Sequence, residues 1–577
     1  MSKKLRIIIA IIVIIILGVA GFFIAKKIEQ ENRKYNIENI SEYNYFVIKE
    51  DNKYGIMDKE GKTIIEPNYD NIKIPNPTKA VFFCYQDDEI IAINDKNEKI
   101  FTEYENVTPL RLKNISSDLM YEKSVLKYKE NEKYGLIDFN GEKITKAIYD
   151  EIDTLQFKEG ELLVKSKEKY GVINIKGHIL VKIKYDKVEV DKYYSSKGNY
   201  KEAGYIVCNT TNEGYRYGYV NTNGKEIIET KYNDLYRVTD IQSKDIYIIA
   251  ADNGKYGMFK NNKQVIKNDY QSLVYNSENN LVTALKGKKY GVITLEEKVI
   301  IPFQYNQIDV TGRYIYATES NEKVVVFDNQ GKESDIDENT AIINVQDTNY
   351  EIYIKSTNDS TTYSIYEDSK KKTNKSYTYI EYLYNGYFIA CNSNNKIGII
   401  DSDENIKVDF KYDSMRKIEN TTIVEFIDDS TKNSYFYSKD TKQVAQMKNA
   451  VVENENNYIK IYNNQDRIYL STDGQAIEYT DIKPNNELYA KKQNGKWGFV
   501  NSKGNKIINY EYDFVTELNQ YGFAGIQKDG KWGIINKEGK IIVNPIYELT
   551  KEKEPNFIGK YYEATYGNGE IYYSDMK

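Results

Sequence analysis

A short pattern returns along this chain at fixed internal distances, and it dictates an array of small units rather than one large core. Its fullest copy is Asn494 to Phe514, NGKWGFVNSKGNKIINYEYDF. The pattern is a basic residue, an aromatic and a glycine, seen at Tyr54-Gly55, Tyr134-Gly135, Tyr170-Gly171, Tyr217-Gly218, Tyr256-Gly257, Tyr290-Gly291, Trp497-Gly498 and Trp532-Gly533, with Ile397-Gly398 as a variant. Lysine precedes the pair everywhere except at Arg216. A tyrosine stands fourteen positions after the glycine at Tyr69, Tyr149, Tyr185, Tyr232, Tyr305, Tyr412, Tyr512 and Tyr547, while Tyr270 comes one early. The residue after it is Asp70, Asp150, Asp186, Asp413 or Asp513, with Asn233, Asn306, Gln271 and Glu548 as variants. Six copies add a second glycine six positions on, at Gly61, Gly141, Gly177, Gly224, Gly504 and Gly539. Markers that hold register with one another in this way are the signature of tandem repeats.

Neighbouring clear copies lie about 34 to 47 residues apart, and the wider gaps hold weaker copies around residues 88–97, 322–331, 363–370, 432–440 and 467–474, giving about fourteen units. Each unit reads as a three-stranded antiparallel meander. In the last copy, 522–527 is an apolar first strand, Asp529-Gly530 supplies the positive φ angles of a two-residue hairpin, and 531–536 is the second strand. A turn closed by Gly539 leads into a third strand over 540–544. A glycine inside a strand, such as Gly533, lets a neighbouring ring or backbone approach closely.

Composition agrees with strands. The 577 residues include 56 Tyr but only 8 Pro, and aromatic and β-branched side chains suit a pleated, half-buried surface. A lone meander exposes an apolar face and two edges, so the units must pack on each other. The expected fold is all-β, with the meanders stacked as propeller-like modules in two rings of about seven; the alternative is an open β-solenoid or superhelix. The expected modules span 43–310 and 311–577, with degenerate repeats in 311–493.

Ile7 to Ala25 is nineteen apolar residues without a charge, flanked by Lys3, Lys4 and Arg6 before and Lys26 and Lys27 after. That length matches a bilayer core, so residues 1–27 read as an uncleaved signal anchor and transmembrane helix. The apolar run continues through Phe22, Phe23 and Ile24 past the small residues Gly18 to Ala20, which argues against cleavage. A short basic N-terminus held inside places the remainder outside the membrane. Residues 28–42 read as a juxtamembrane linker, a helical continuation or short stalk.

Several chemistries lose support from the sequence. A formal net charge of −6 argues against nucleic acid as the main partner. Cys84, Cys208 and Cys391 lack ligand spacing and fall at buried strand positions of their units. His178, the only histidine, follows the turn glycine Gly177 and reads as an exposed turn residue. The run Asp401 to Asn405 resembles a calcium loop but lacks its central glycine, and Tyr412 stands where a bidentate glutamate belongs. The acid after each closing tyrosine reads as a partner for backbone groups at a strand end. No phosphate loop, serine nucleophile motif or metal cluster appears. No catalytic, cofactor or metal residue is therefore expected, and the aromatic-glycine pairs are expected to be structural.

The Lys-Trp-Gly and Lys-Tyr-Gly cores, the Asn or Asp after two apolar residues (Asp58, Asp138, Asn174, Asn221, Asn501, Asn536), the turn glycine and the closing Tyr-Asp together resemble the WG, or KWG, repeat family of bacterial proteins. The resemblance spans roughly residues 43–547, although only Trp497 and Trp532 keep the tryptophan. It implies a β-repeat array common in exported or envelope-associated proteins and implies no catalytic residues. Two functions follow as expectations. One is a membrane-anchored, extracytoplasmic binding or scaffold module for protein or cell-wall partners, with surface tyrosines as contact points. The alternative is an envelope glycan hydrolase using carboxylates in a repeat ring.

Overall fold

The computed structural model describes residues 34–576 apart from 88, 114–118, 157, 195–199, 239–244, 337–338, 358, 369, 456, 484, 550–553 and 567–569. The expected membrane segment, Ile7 to Ala25, lies outside the described residues. Among the described residues, no helix is long and apolar enough to cross a membrane. The part of the linker that is described, residues 34–42, contains no helix. The Tyr35 ring instead packs against the apolar cluster around Leu110 and Ile152, and its hydroxyl donates to Glu161 Oε1 at 2.8 Å.

The described residues form fourteen small sheets and one helical turn, Tyr479–Ile482. Eight sheets are four-stranded and five are three-stranded, so the blade is commonly one strand larger than the expected meander. The extra strand is the short segment directly after the closing Tyr-Asp, such as Glu151–Thr154 after Asp150. It precedes Glu161–Ser166, Lys169–Asn174 and Ile179–Tyr185 in an up-and-down order. A segment such as Glu151–Thr154, four residues without a turn signal of its own, gives little periodicity to read, which is why it is silent in the sequence.

Successive sheets pack face to face. The two apolar residues after each marker glycine point to opposite faces of the strand. Ile173 joins a cluster with Leu136 of the preceding sheet and Val125 just before it, whereas Val172 joins one with Tyr205 and Val207 of the following sheet. The same division recurs at Ile400, packed with Ile352 and Ile365, and Ile399, packed with Val424 and Phe426. All four of these isoleucine and valine side chains are fully buried. A sheet sealed on both faces needs this doubled apolar pair, and the clear repeats supply it.

By internal contacts the chain divides into two compact units. Of the described residues, the first takes those from 34 to 277 with 295–297 and 564–574; the second takes 278–294, 298–563 and 575–576. Within the first unit, the strand Tyr45–Glu50 pairs in parallel with Glu570–Asp575, Ile48 opposite Tyr573 and Lys49 opposite Ser574. Outer strands are guarded by prolines: Pro67, Pro302 and Pro545 each lie in the last strand of their sheet, where a missing N–H blunts further pairing.

The marker glycine permits a close approach of backbone rather than of an aromatic ring in most copies. A Cβ on Gly171 would lie 2.6 Å from the Val181 carbonyl oxygen, and one on Gly398 would lie 2.5 Å from that of Val408. The register shifts at the same place, between Tyr170 and Val172 and between Ile397 and Ile399. Gly135 is the exception, because there the Tyr128 ring fills the space at 2.5 Å. Gly398→Ala is expected to destabilise the second unit by about 1–3 kcal/mol, the usual cost of overpacking, read as a lowered urea midpoint. An unchanged midpoint would refute the close approach.

Candidate functional site

The fixed spacing of aromatic and closing tyrosine is a cross-strand pairing. Tyr54 faces Tyr69, Tyr170 faces Tyr185, Tyr217 faces Tyr232, Tyr290 faces Tyr305, Trp497 faces Tyr512 and Trp532 faces Tyr547. Tyr134 and Tyr149 form an isolated bridge in the same relation. Tyr256 still faces Tyr270 although the spacing is one shorter, since its last two strands turn more tightly, with Lys260 opposite Lys263. The Asn or Asp after the apolar pair closes the next turn. Asn501 Oδ1 accepts the N–H groups of Lys503 and Asn505 at 3.0 Å each, and Asp58 and Asn174 act alike.

The acid after the closing tyrosine fastens one unit to the next. In the Asp186 copy, Oδ1 accepts Lys169 Nζ at 2.5 Å, Oδ2 accepts the Thr210 N–H at 2.7 Å, and the Asp186 N–H donates to the Cys208 carbonyl at 2.9 Å. Lys169 belongs to the unit just ended, while Thr210 and Cys208 belong to the hairpin of the unit just begun. The lysine lies seventeen positions before the acid at Lys53-Asp70, Lys133-Asp150, Lys396-Asp413 and Lys496-Asp513 as well. In each of these five copies the lysine hydrogen bond, joined by the turn N–H, holds the carboxyl below its ordinary pKa. Asn306 keeps the lysine contact without charge, 2.7 Å from Lys289 Nζ. These acids therefore serve the backbone and the clasp, as their position in the repeat implies.

The remaining singled-out residues also sit in structural roles. The N–H of His178 donates to Asn174 Oδ1 in the turn, and the histidine is half-buried rather than exposed. Cys84 and Cys208 are buried and Cys391 partly so, with burial pushing the Cys84 thiol up to about 12. Asp401 Oδ1 caps its own turn through the Asp403 and Asn405 N–H groups, and Oδ2 pairs with Lys407 at 3.0 Å. The tyrosines form no contact platform: only Tyr215, Tyr236 and Tyr379 are broadly exposed among the described residues, each on a different sheet.

Variation between units concentrates elsewhere. In the first unit, a groove of about 1190 Å³ runs along the first strands of three successive sheets, Glu151–Thr154, Lys187–Tyr194 and Asp234–Val238. Leu163, Val188, Val190 and Ile206 give it an apolar floor. Its rim is charged, with Lys113 paired to Asp153 at 2.5 Å and Lys187 to Glu189 at 2.6 Å. At one end, the buried Asp191 carboxylate accepts Arg237 Nη1 at 2.8 Å and the Tyr219 hydroxyl at 2.6 Å.

The second unit holds a cavity of about 680 Å³ beside the two tryptophan copies. Its walls come from the turns at Lys448-Asn449 and Asn463–Gln465, from Phe514, Gln527 and Trp532, and from Leu549, Glu554 and Pro555. Behind it, Arg467 faces Tyr462 as Trp497 faces Lys492 in the next unit, and it lies four residues before the turn residue Ser471 as Trp497 lies four before Asn501. Arginine thus takes the place of the marker aromatic. Its guanidinium is buried, with its centre 5.0 Å from the Trp497 ring and 4.8 Å from the Phe514 ring. Nη2 donates to Glu554 Oε1 at 2.8 Å, and Nη1 lies 3.1 Å from Glu517 Oε1. Burial alone would lower the pKa of the guanidinium, but Glu554 and Glu517 outweigh it and raise the value. For Glu517 burial prevails over Arg467 and raises the carboxyl pKa. Lys460 Nζ pairs with the other Glu554 oxygen. Counting back four places from the turn at Ser471 would have exposed Arg467 in the sequence; Glu517 and Glu554 carry no such marker.

Five segments of the chain, 54–75, 170–192, 217–256, 497–532 and 532–551, match the model of the WG containing repeat. No curated protein matches the chain as a sequence relative. Among solved structures, that of a eukaryotic initiation factor is similar at 10% identity and a TM-score of 0.24, covering 58% of this chain and 97% of its own. BamB from Moraxella catarrhalis is similar at 8% identity and a TM-score of 0.23, covering 50% and 95%. Scores this low add nothing to the architecture described above.

The clasp has a definite pH signature. A carboxyl whose pKa is lower in the folded state stabilises that state above its unfolded value, and the contribution disappears as pH falls through the folded value. An Asp150→Asn, Asp186→Asn double variant is therefore expected to melt below the unaltered protein at pH 7, with the gap closing as pH falls below about 4. A gap of constant size across that range would rule out a charge-dependent clasp.

Proposed function

We propose that this protein is a membrane-anchored binding or scaffold module, without catalytic function, whose WG-repeat blades present an extracytoplasmic surface to a protein or cell-wall partner. The observation that carries the reading is the division of roles among residues. In the clear copies, the repeated Lys, aromatic, Gly, Asn or Asp, and Tyr-Asp positions are taken up by strand pairing, turn closure and the clasp between units. What varies from unit to unit is the outward side of the first strands, where the amphipathic groove of the first unit lies. An apolar floor between charged rims gives a partner contact area along with orientation. The apolar run Ile7 to Ala25 supports the anchor, and its basic flank supports an outside location for the blades.

The test uses the full chain in its own membrane. Protease added to intact cells after outer layers are removed should digest the blades, and protection of the blades would refute the outside location. Purified cell wall and detergent-solubilised envelope protein should then be compared as baits. Retention by one of them, reduced at least five-fold by Val190→Asp with Glu189→Lys in the groove, supports the reading. Retention by neither, or retention indifferent to those substitutions, would overturn it.

A further inference from the structure

We infer that the polar cavity of the second unit is a binding site for a neutral, hydroxyl-rich saccharide of one or two rings. The inference stands apart from the groove of the first unit and holds whichever partner that groove takes. A volume of about 680 Å³ lies in the ordinary range for small-ligand sites.

The lining selects the chemistry. The side-chain amides of Asn449, Asn464 and Gln465 have no hydrogen-bond partner among the described residues, and each offers both donors and an acceptor. Glu554 lines the same cavity, and its carboxylate is buried and fixed by Arg467 on one oxygen and Lys460 on the other. Two bonds leave an ionised carboxylate with about two free lone-pair sites, enough to accept a pair of adjacent hydroxyls. Trp532 and Phe514 add apolar edges against which a sugar ring's C–H groups fit.

Other ligand classes fit less well. A phosphate or carboxylate ligand would meet the Glu554 carboxylate, with Lys448 as the one cationic side chain among the described lining residues. A cation would meet a carboxylate already neutralised by Arg467 and Lys460. An apolar molecule would strip water from three amides and return no hydrogen bonds.

The chain's only two tryptophans report on this place. Trp532 lines the cavity, and the Trp497 indole N–H donates at 2.9 Å to the carbonyl of Gln465, which lines it as well. Titration of the full chain with cellobiose, chitobiose and maltose should therefore give a saturable change in tryptophan fluorescence with at least one of them. Asn464→Ala with Gln465→Ala, two exposed turn residues, should weaken that binding at least ten-fold while the melting temperature stays the same. Trp532→Phe should remove most of the signal, with binding still measurable by calorimetry. The inference is overturned if no saccharide gives saturation at millimolar concentrations, or if the double variant binds as the unaltered chain does. Either outcome leaves the groove's partner unaffected, because the Val190 and Glu189 substitutions report on that surface alone.

Discussion

The marker strand of a blade is buried on both faces, and much else in the molecule accommodates that constraint. A sheet of three or four short strands has too little area to stand alone, so it must be covered front and back. The apolar pair after the marker glycine meets the demand by sending one side chain each way: Val172 forward and Ile173 backward, Ile399 forward and Ile400 backward. The glycine before the pair follows from the same crowding. Where the last strand bulges over it, as at Gly171, the Val181 carbonyl occupies the place of a side chain. Tyrosine, tryptophan and isoleucine are interchangeable at the adjacent position because its task is to face the closing tyrosine, and any large ring or branched chain can do so.

Face-to-face burial fixes which surfaces touch but not the offset between one blade and the next. The clasp supplies that offset. An exposed ion pair contributes little by itself, commonly under about 1 kcal/mol. Here the acid adds two backbone hydrogen bonds to the hairpin of the following blade, and those bonds form only in one register. Asn233 shows which half of the device persists when charge is lost: its Oδ1 still accepts the Asn253 N–H at 2.8 Å, and its own N–H still reaches the Ala251 carbonyl.

The parts of this fold that were legible in the sequence are those where backbone geometry restricts residue type. Gly177, with φ of +78°, and Asn174, whose side chain caps the turn, leave marks because few residues can replace them. The spacing of Tyr170 and Tyr185 is legible because the two face each other across the final hairpin. The first strand, such as Glu151–Thr154, was not legible. One of its faces is open, so its composition is free to change from unit to unit. For that same reason the groove lies where the pattern is silent. An expected surface of stacking tyrosines does not form among the described residues: Tyr185, Tyr205, Tyr219 and Tyr412 are almost wholly buried, and the three broadly exposed rings sit on different sheets.

Arg467 is the clearest departure from the repeat rule, and its energetics favour a role beyond packing. Moving a guanidinium from water to the interior costs several kcal/mol, and even paired buried charges commonly gain nothing over apolar side chains of similar volume. Trp497 at the same position of the following blade shows that an apolar ring fits there. Stability alone would therefore retain a tyrosine or isoleucine here. What an arginine does, and a ring cannot, is fix the side chains of Glu554 and Glu517 from one guanidinium, with Glu554 on the wall of a cavity whose turn amides have no partner among the described residues. The desolvation is tolerated where it fixes an acceptor for a ligand. That places the second unit's chemistry at the point where the repeat gives up its own consensus.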